Sequence, residues 1–191
     1  DLKNNLWLKL IVGTIPAVIA GLFFQKAVES QLRSFPVIGL SLILFSFIMI
    51  LAEITGSKNK NVHKVTGKKA FLIGLAQSLA LIPGISRSGS TISAGLFLGL
   101  TRQESARFAF VLSGPIIAGA GSYKLFAAVT SQKLTGADIN FFIVGVVSSF
   151  IFGYLTIKYF LKYLSAKNLY PFIVYRVILG ISLIAYSLLA H

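Results

Sequence analysis

The sequence predicts an all-α, polytopic integral membrane protein with about five full transmembrane helices and one re-entrant helical hairpin. Hydrophobic residues make up 55% of the chain and charged residues only 12%, whereas soluble domains carry about 25% charged residues. Apolar windows recur at the length of about 20 residues that a helix needs to cross the hydrocarbon core. The strict alternation of apolar and polar residues that is typical of a membrane β-barrel is absent.

Five apolar windows are predicted to cross the membrane, and Trp7 is the expected interfacial anchor of the first. Their ranges are 6–24, 36–52, 105–129, 139–161 and 171–190. The spacing of Gly95 and Gly99 is typical of close helix packing. Together, residues 1–191 are predicted to form a single transmembrane domain.

The segment 69–100 lies between the second and third windows and does not fit a simple crossing. Residues 69–82 form an apolar run that is too short to span comfortably. A Pro83–Gly84 break follows, and residues 89–100 form a second short apolar run. The segment either crosses as one broken helix or dips into the membrane and returns as a re-entrant hairpin.

The distribution of lysine and arginine favours the hairpin, because cytoplasmic loops and helix ends hold the excess of positive charge. With the N-terminus inside, the hairpin leaves twelve basic residues on the inner side and four on the outer side, whereas a crossing helix gives nine and seven. The inner twelve are Lys3, Lys9, Lys58, Lys60, Lys64, Lys68, Lys69, Arg102, Arg107, Lys158, Lys162 and Lys167, and the outer four are Lys26, Arg33, Lys124 and Lys133.

The break itself, "LIPGISRSGST" at residues 81–91, has the chemistry of an anion site. Irregular backbone at membrane depth persists only where it is buried in protein or lines a wet cavity, and the start of the second short helix offers free N–H groups and a positive dipole. Arg87 adds a planar fork that matches phosphate oxygens, and an intramembrane arginine is costly enough to indicate function. The predicted ligand is a phosphate group.

Residues in and near the break are therefore the candidate site residues. Arg87 and Ser86 are the catalytic candidates, and the substrate-binding candidates are Gly84, Ser88, Gly89, Thr91 and Gln77. Glu53 is expected to be a solvated interfacial charge, and Arg176 is expected to extend to the inner surface.

Other site chemistries find no support in the sequence. There is no cysteine, neither histidine has a partner at metal-ligand spacing, and no metal site is predicted in this chain. The basic residues that give the net charge of +13 are expected to orient the helices in the membrane and to contact anionic lipids. They are not expected to bind nucleic acid.

"PGISRSGSTISAG" at residues 83–95 resembles the arginine-containing signature of the bacterial undecaprenyl-diphosphate phosphatases, the family associated with bacitracin resistance. The resemblance extends to "IVGTIPAVIAGLFF", "AFLIGLAQSLALIPGISRSGSTI", "ESARFAFVLSGPIIAGA" and "YPFIVYRVILG", in the order of the family. It implies a multi-pass enzyme of the bacterial inner membrane that hydrolyses undecaprenyl diphosphate to the monophosphate with magnesium. It also implies two inverted repeats, each with a re-entrant hairpin, and a homodimer is a further expectation.

The sequence departs from the family by lacking its glutamate-rich motif and the Pro-Ser-Ser-Thr-Gly-His-like run that follows. The acids after Asp1 are scattered, at Glu29, Glu53, Glu104 and Asp138. The chain is therefore expected to be the C-terminal two-thirds of such a protein, with the magnesium ligands outside it, and to be inactive alone. The alternative function is a transporter or flippase for a phosphate-bearing lipid or anion, because discontinuous helices also form transporter sites. A purely structural membrane subunit is the third hypothesis.

Overall fold

The protein is a bundle of seven α-helices in a computed structural model, which describes residues 5–130 and 136–189. Asn5 begins the first helix by accepting a hydrogen bond from the backbone N–H of Trp7 at 3.0 Å, which is a standard N-cap. Apart from one isolated bridge, the described residues form no β-structure. The helices are α1 (Leu6–Gln31), α2 (Phe35–Thr55), α3 (Gly67–Ser78), α4 (Arg87–Phe97), α5 (Arg102–Thr130), α6 (Gly136–Ala166) and α7 (Tyr170–Leu189).

Five of these helices are long and apolar enough to cross a membrane, which confirms the predicted fold class. The spans are Leu6–Phe24, Phe35–Thr55, Arg102–Thr130, Ile139–Ala166 and Tyr170–Leu189. They agree with the predicted windows to within a few residues at each end. Lys3, Lys133 and the predicted last residue Ala190 lie outside the described residues.

α3 and α4 are the two short arms of a hairpin whose ends lie together. Lys60, which precedes α3, forms a parallel bridge with Leu100, which follows α4. The backbone N–H of Lys60 donates to the Gly99 carbonyl at 3.0 Å, and the N–H of Thr101 donates to the Lys60 carbonyl at 3.1 Å. The segment therefore ends beside the point at which it begins. That it enters a membrane and returns to the same side stays a prediction.

Glycines bring the helices of the bundle into direct backbone contact. A Cβ atom at Gly74 of α3 would overlap the carbonyl oxygen of Gly13 of α1, and one at Gly39 of α2 would lie 2.6 Å from the carbonyl oxygen of Gly180 of α7. The predicted close packing at Gly95 is confirmed, because a Cβ there would lie 2.7 Å from the hydroxyl oxygen of Ser105 on α5. The hairpin is thus held between α1 on one side and α5 on the other.

Two apolar clusters fill the bundle on either side of α4. One joins α2, α4, α5 and the start of α7 around Phe45, Ile92 and Leu96. The other joins α1, α3 and α5 around Leu10, Ile73 and Phe108. α6 contributes little to either, since no residue of its span 139–166 except Leu164 is fully buried.

The expectation that Glu53 is a solvated charge is wrong. The residue is only 3% exposed, and its carboxylate accepts hydrogen bonds from Arg102 at the start of α5, with the Nε of Arg102 2.6 Å from Oε1. Lys58 contacts the same oxygen at 3.4 Å. Burial of a carboxylate requires such partners, so this ion pair joins the end of α2 to the start of α5 at the base of the hairpin.

Candidate active site

Ser86 begins α4 and organises the tip of the hairpin. Its hydroxyl oxygen accepts from the backbone N–H of Gly89 at 3.1 Å and lies 3.3 Å from the hydroxyl oxygen of Ser88. The N–H groups of Arg87 and Ser88 have no acceptor among the described residues. Free N–H groups at a helix N-terminus favour an anion. The predicted helix start at the break is therefore present in the structure, while its binding of an anion stays a prediction.

Thr91 stabilises the first turn of α4 through hydrogen bonds to its carbonyl oxygens. Its hydroxyl donates to the carbonyl oxygens of Arg87 at 2.9 Å and Ser88 at 3.1 Å, and the hydroxyl of Ser90 donates to the carbonyl of Arg87 at 2.9 Å. Thr91 is fully buried, and it lies outside the cavity lining. The geometry therefore makes Thr91 a support of the turn, while its predicted contact with substrate stays a prediction.

Gly84 allows the chain to reverse direction at the tip. Its φ angle is +93°, in the region that only glycine adopts without strain. A Cβ atom there would lie 2.6 Å from the carbonyl oxygen of Ile38 and 2.9 Å from the Cβ of Ser41, both on α2. Both the conformation and the space thus require glycine at this turn.

Arg176 of α7 is a site residue that the sequence reasoning missed. The expectation that it extends to the inner surface is wrong, because it is only 8% exposed. Its guanidinium donates to the Gly84 carbonyl at 2.9 Å and to the Leu42 carbonyl at 3.5 Å, and it lies over the ring of Phe45 at 5.6 Å. Its Nε is buried and has no acceptor among the described residues. The sequence signal that could have identified Arg176 as a site residue is the presence of an arginine within an otherwise apolar span.

Ser86, Ser88, Gly89 and Arg176 lie together on the wall of one cavity of about 360 Å³. The remaining wall is mostly apolar and rich in aromatic rings, and consists of Met49, Ile92, Phe110, Thr156, Phe160, Leu169, Phe172 and Tyr175. Phe160 contacts Phe110 and Phe172 edge-to-face, with ring centroids 5.7 Å and 5.1 Å apart. The cavity therefore has a cationic, hydroxyl-bearing end and a long apolar side, which suits an amphiphile with an anionic head.

Arg87 and Gln77 do not line this cavity. Arg87 is exposed at the first residue of α4, and its guanidinium has no hydrogen bond or ion pair with the described residues. Gln77 is 2% exposed, and neither atom of its amide group has a partner in the described part of the chain. The guanidinium of Arg87 is thus exposed, without a partner among the described residues and outside the cavity lining, whereas Gln77 is buried on α3.

No carboxylate lines the cavity, and the described residues contain no group of three His, Cys, Asp or Glu side chains placed to hold a metal. Mg²⁺ prefers carboxylate and phosphate oxygens. The donor set at the hairpin tip is cationic and neutral, so the described residues do not fit a magnesium ion by themselves.

The family described as bacitracin resistance protein BacA matches residues 1–182. The chain belongs to the bacitracin resistance protein BacA family. The BacA-family match covers the motif at the hairpin tip and all the elements that line the cavity, including Arg176 in α7.

Curated relatives of this BacA-family chain are named for one activity. An undecaprenyl-diphosphatase of Geotalea daltonii is 42% identical over 90% of the chain and 63% of its own length. One of Chloroherpeton thalassium is 44% identical over 91% of the chain and 64% of its own length. A protein of Agrobacterium fabrum named undecaprenyl-diphosphatase 2 is 41% identical over 94% of the chain and 63% of its own length.

The chain therefore spans slightly less than two thirds of these relatives. That the matched part is their C-terminal part stays a prediction.

Proposed function

We propose that the protein of which these residues are part hydrolyses undecaprenyl diphosphate to undecaprenyl phosphate, and that this chain contributes the diphosphate-binding half of the site. The observation that carries the proposal is the cavity in which two serines and a buried arginine face a wall of aromatic rings. The names of relatives at 42–44% identity agree with it.

The hairpin tip supplies donors for the diphosphate. The N–H groups of Arg87 and Ser88, together with the hydroxyls of Ser86 and Ser88, donate to phosphate oxygens, and the unengaged guanidinium of Arg87 acts as the clamp on the terminal phosphate. Phosphoryl transfer is accelerated mainly by positioning and by stabilising charge on the equatorial oxygens. In the net reaction, water adds to the terminal phosphorus, the anhydride P–O bond breaks, and inorganic phosphate leaves.

The apolar wall suits the prenyl chain of the substrate. Aromatic rings such as Phe160 and Phe172 bury large areas, and a polyprenyl lipid offers only hydrocarbon to them. In this arrangement, Arg176 holds the loop that binds the head group, and it does not hold the prenyl chain.

The proposed location is the bacterial inner membrane, with α3 and α4 entering and leaving it from the side on which α1 begins. The meeting of Lys60 with Leu100 at the base of the hairpin supports this arrangement, as does the cluster of lysines that precedes α3. A homodimer stays a prediction.

Magnesium, if the whole enzyme uses it, is proposed to be held by carboxylates outside these 191 residues together with substrate oxygens. The cavity lining in this chain contains hydroxyls and a guanidinium, which cannot replace a carboxylate set for Mg²⁺. These residues alone are therefore expected to release no phosphate from the lipid.

Reconstitution of a full-length protein carrying this sequence, with undecaprenyl diphosphate and magnesium, tests the proposal by phosphate release. We expect turnover by the full-length protein, and a loss of turnover for Ser86→Ala and Arg87→Ala. Exchange of a labelled anion across the vesicles without phosphate release would instead indicate a transporter. Magnesium-dependent phosphate release by the 191 residues alone would contradict the assignment of the metal ligands to another part of the protein.

A further inference from the structure

Arg176 is a buried cation whose guanidinium is only partly used by the described chain. Its Nη2 donates to the carbonyl oxygens of Gly84 and Leu42. Neither Nε nor Nη1 donates a hydrogen bond to the described residues. Because a guanidinium carries five N–H donors in a fixed plane, the N–H groups on Nε and Nη1 remain without an acceptor.

The charge of Arg176 also has no counter-charge among the described residues. The ion pairs there join Glu53 to Arg102 and Lys58, and Glu104 to Arg107. The ring of Phe45, 5.6 Å from the guanidinium carbon, gives a weaker attraction. Burial of a cation that is only 8% exposed is costly without an anion beside it. A ligand that brings the anion would remove this cost.

One of the unused donor groups is accessible to such a ligand. Nε is completely buried, whereas Nη1 has no partner among the described residues and is not completely buried. Arg176 lines the cavity together with Ser86 and Ser88. Nη1 is therefore the donor that Arg176 offers to a molecule bound in the cavity.

Arg176 lies at the boundary between the polar end of the cavity and its apolar side. Phe172, four residues earlier on the same face of α7, contacts the ring of Phe160 at 5.1 Å, and both rings belong to the apolar wall. In the other direction, the guanidinium is bonded to Gly84, two residues before Ser86. A group bound to Arg176 thus has aromatic rings on one side and the hairpin tip on the other.

The two phosphates of a polyprenyl diphosphate need different surroundings. The phosphate joined to the hydrocarbon must lie where the apolar wall ends, which is the position of Arg176. The terminal phosphate, which leaves as inorganic phosphate, must reach water. Arg87 is exposed and lies outside the cavity lining, so it suits the terminal phosphate and not the phosphate joined to the lipid.

We propose that Arg176 binds the lipid-linked phosphate through Nη1 while its Nη2 holds the loop at Gly84. The inference rests on the proposed function, since it divides the two phosphates of that substrate between two arginines. Guanidinium groups recognise phosphate oxygens through charge-assisted hydrogen bonds. Arg176 is then a binding residue for the monophosphate product as well as for the substrate, whereas Arg87 contacts only the phosphate that is released.

Binding of undecaprenyl phosphate tests this division of roles without any turnover. The full-length protein is purified in detergent without magnesium, and its Kd for the radiolabelled monophosphate is measured. We expect Arg176→Gln to bind about 10- to 100-fold more weakly than the wild type. Arg87→Gln should bind this lipid as the wild type does. The control is Arg107→Gln, whose side chain is 63% exposed and does not line the cavity.

A phosphorus NMR titration of the bound monophosphate distinguishes direct contact from support of the loop. The second pKa of a phosphate monoester is about 6, and a contacting positive charge lowers a pKa by about 1–3 units. We expect this lowered pKa in the wild type and in Arg87→Gln, and a value near 6 in Arg176→Gln. Gly84→Ala alters the loop and retains the guanidinium, so it should keep the lowered pKa.

The wild-type titration decides the matter even if Arg176→Gln does not fold, which circular dichroism shows. A bound phosphate that titrates like the free lipid, or the absence of saturable binding, would overturn the proposal. Equal affinities of Arg176→Gln and the wild type, or equal losses in Arg176→Gln and Arg87→Gln, would overturn it as well. Absence of phosphate release from undecaprenyl diphosphate by the same wild-type preparation with magnesium would contradict the proposed function instead.

Discussion

The guanidinium of Arg176 donates to the carbonyl oxygen of Gly84 at 2.9 Å, which ties the last helix of the chain to the tip of the hairpin. The two residues are 92 positions apart. Gly84 has the positive φ angle on which the turn depends, and the same guanidinium also lies on the wall of the cavity. The shape of the loop before Ser86 and the charge of the cavity are therefore set by one side chain.

Arg176→Lys is expected to reduce phosphate release by the full-length protein about 10- to 100-fold. A lysine has no planar fork to reach two carbonyls while lying over Phe45, and a hydrogen bond to a charged group is worth about 1.5–3 kcal/mol. Steady-state phosphate release measures the effect. Ser182→Ala, an exposed position on the same helix, is the control, and an unaffected Arg176→Lys would show that the Gly84 contact does not matter for activity.

Arg87→Ala is expected to lower the activity and to leave the stability of the protein almost unchanged. Because the guanidinium is exposed and has no partner among the described residues, the melting temperature should be almost unchanged. Loss of a donor aimed at the transition state typically lowers the rate about 100- to 1000-fold. The pair of measurements is phosphate release and thermal unfolding in detergent.

The control for Arg87→Ala is Arg107→Ala, whose side chain is 63% exposed. That variant should keep its activity. A fall in stability without a fall in rate for Arg87→Ala would support a structural role for this arginine.

Gly84→Ala and Gly119→Ala are expected to change stability in opposite directions. Alanine at residue 84 is strained by a φ of +93° and meets the Ile38 carbonyl, with a conformational cost of about 1–2 kcal/mol before any clash. Residue 119 is helical with nothing within 4 Å of an added Cβ, so alanine should stabilise the helix by up to about 1 kcal/mol. Thermal unfolding measures both, and equal shifts would rule out strain at residue 84.

Glu53→Gln is expected to destabilise the protein by about 1.5–3 kcal/mol, because Arg102, whose side chain is 31% exposed, loses its charged hydrogen-bond partner. Denaturant or thermal unfolding in detergent measures the loss. The double variant Glu53→Gln with Arg102→Met should recover part of the loss, since the charge of Arg102 is then removed and only Lys58 stays without its carboxylate partner. If the double variant is as unstable as the single one, the ion pair is not the reason for the loss.

The five spans and the short arms of the hairpin could be predicted because hydrophobicity and length determine them. The N-cap at Ser86 was predictable too, since a serine after a Pro-Gly break is a local signal. These features depend on residues that are close together in the sequence, and the structure agrees with them.

The environment of Arg176 and Glu53 could not be predicted, because it depends on which helices are neighbours. Arg176 is buried by the packing of α7 against α2 and by the loop at Gly84, and Glu53 is buried by Arg102, 49 residues further along the chain. A single sequence contains no direct signal for these contacts. Both residues were expected to be solvated, which is the usual state of a lone charge near a helix end.

The contact between Gly13 and Gly74 has a mechanical consequence. With no side chain between the two backbones, no change of rotamer can absorb a displacement of one helix against the other. α1 and the descending arm of the hairpin must therefore shift together as a rigid pair. Because Gly39 and Gly180 bring α2 and α7 into the same kind of backbone contact, any widening of the cavity for a bulky ligand is expected to come from α6, whose rings can turn aside while the serines keep their positions.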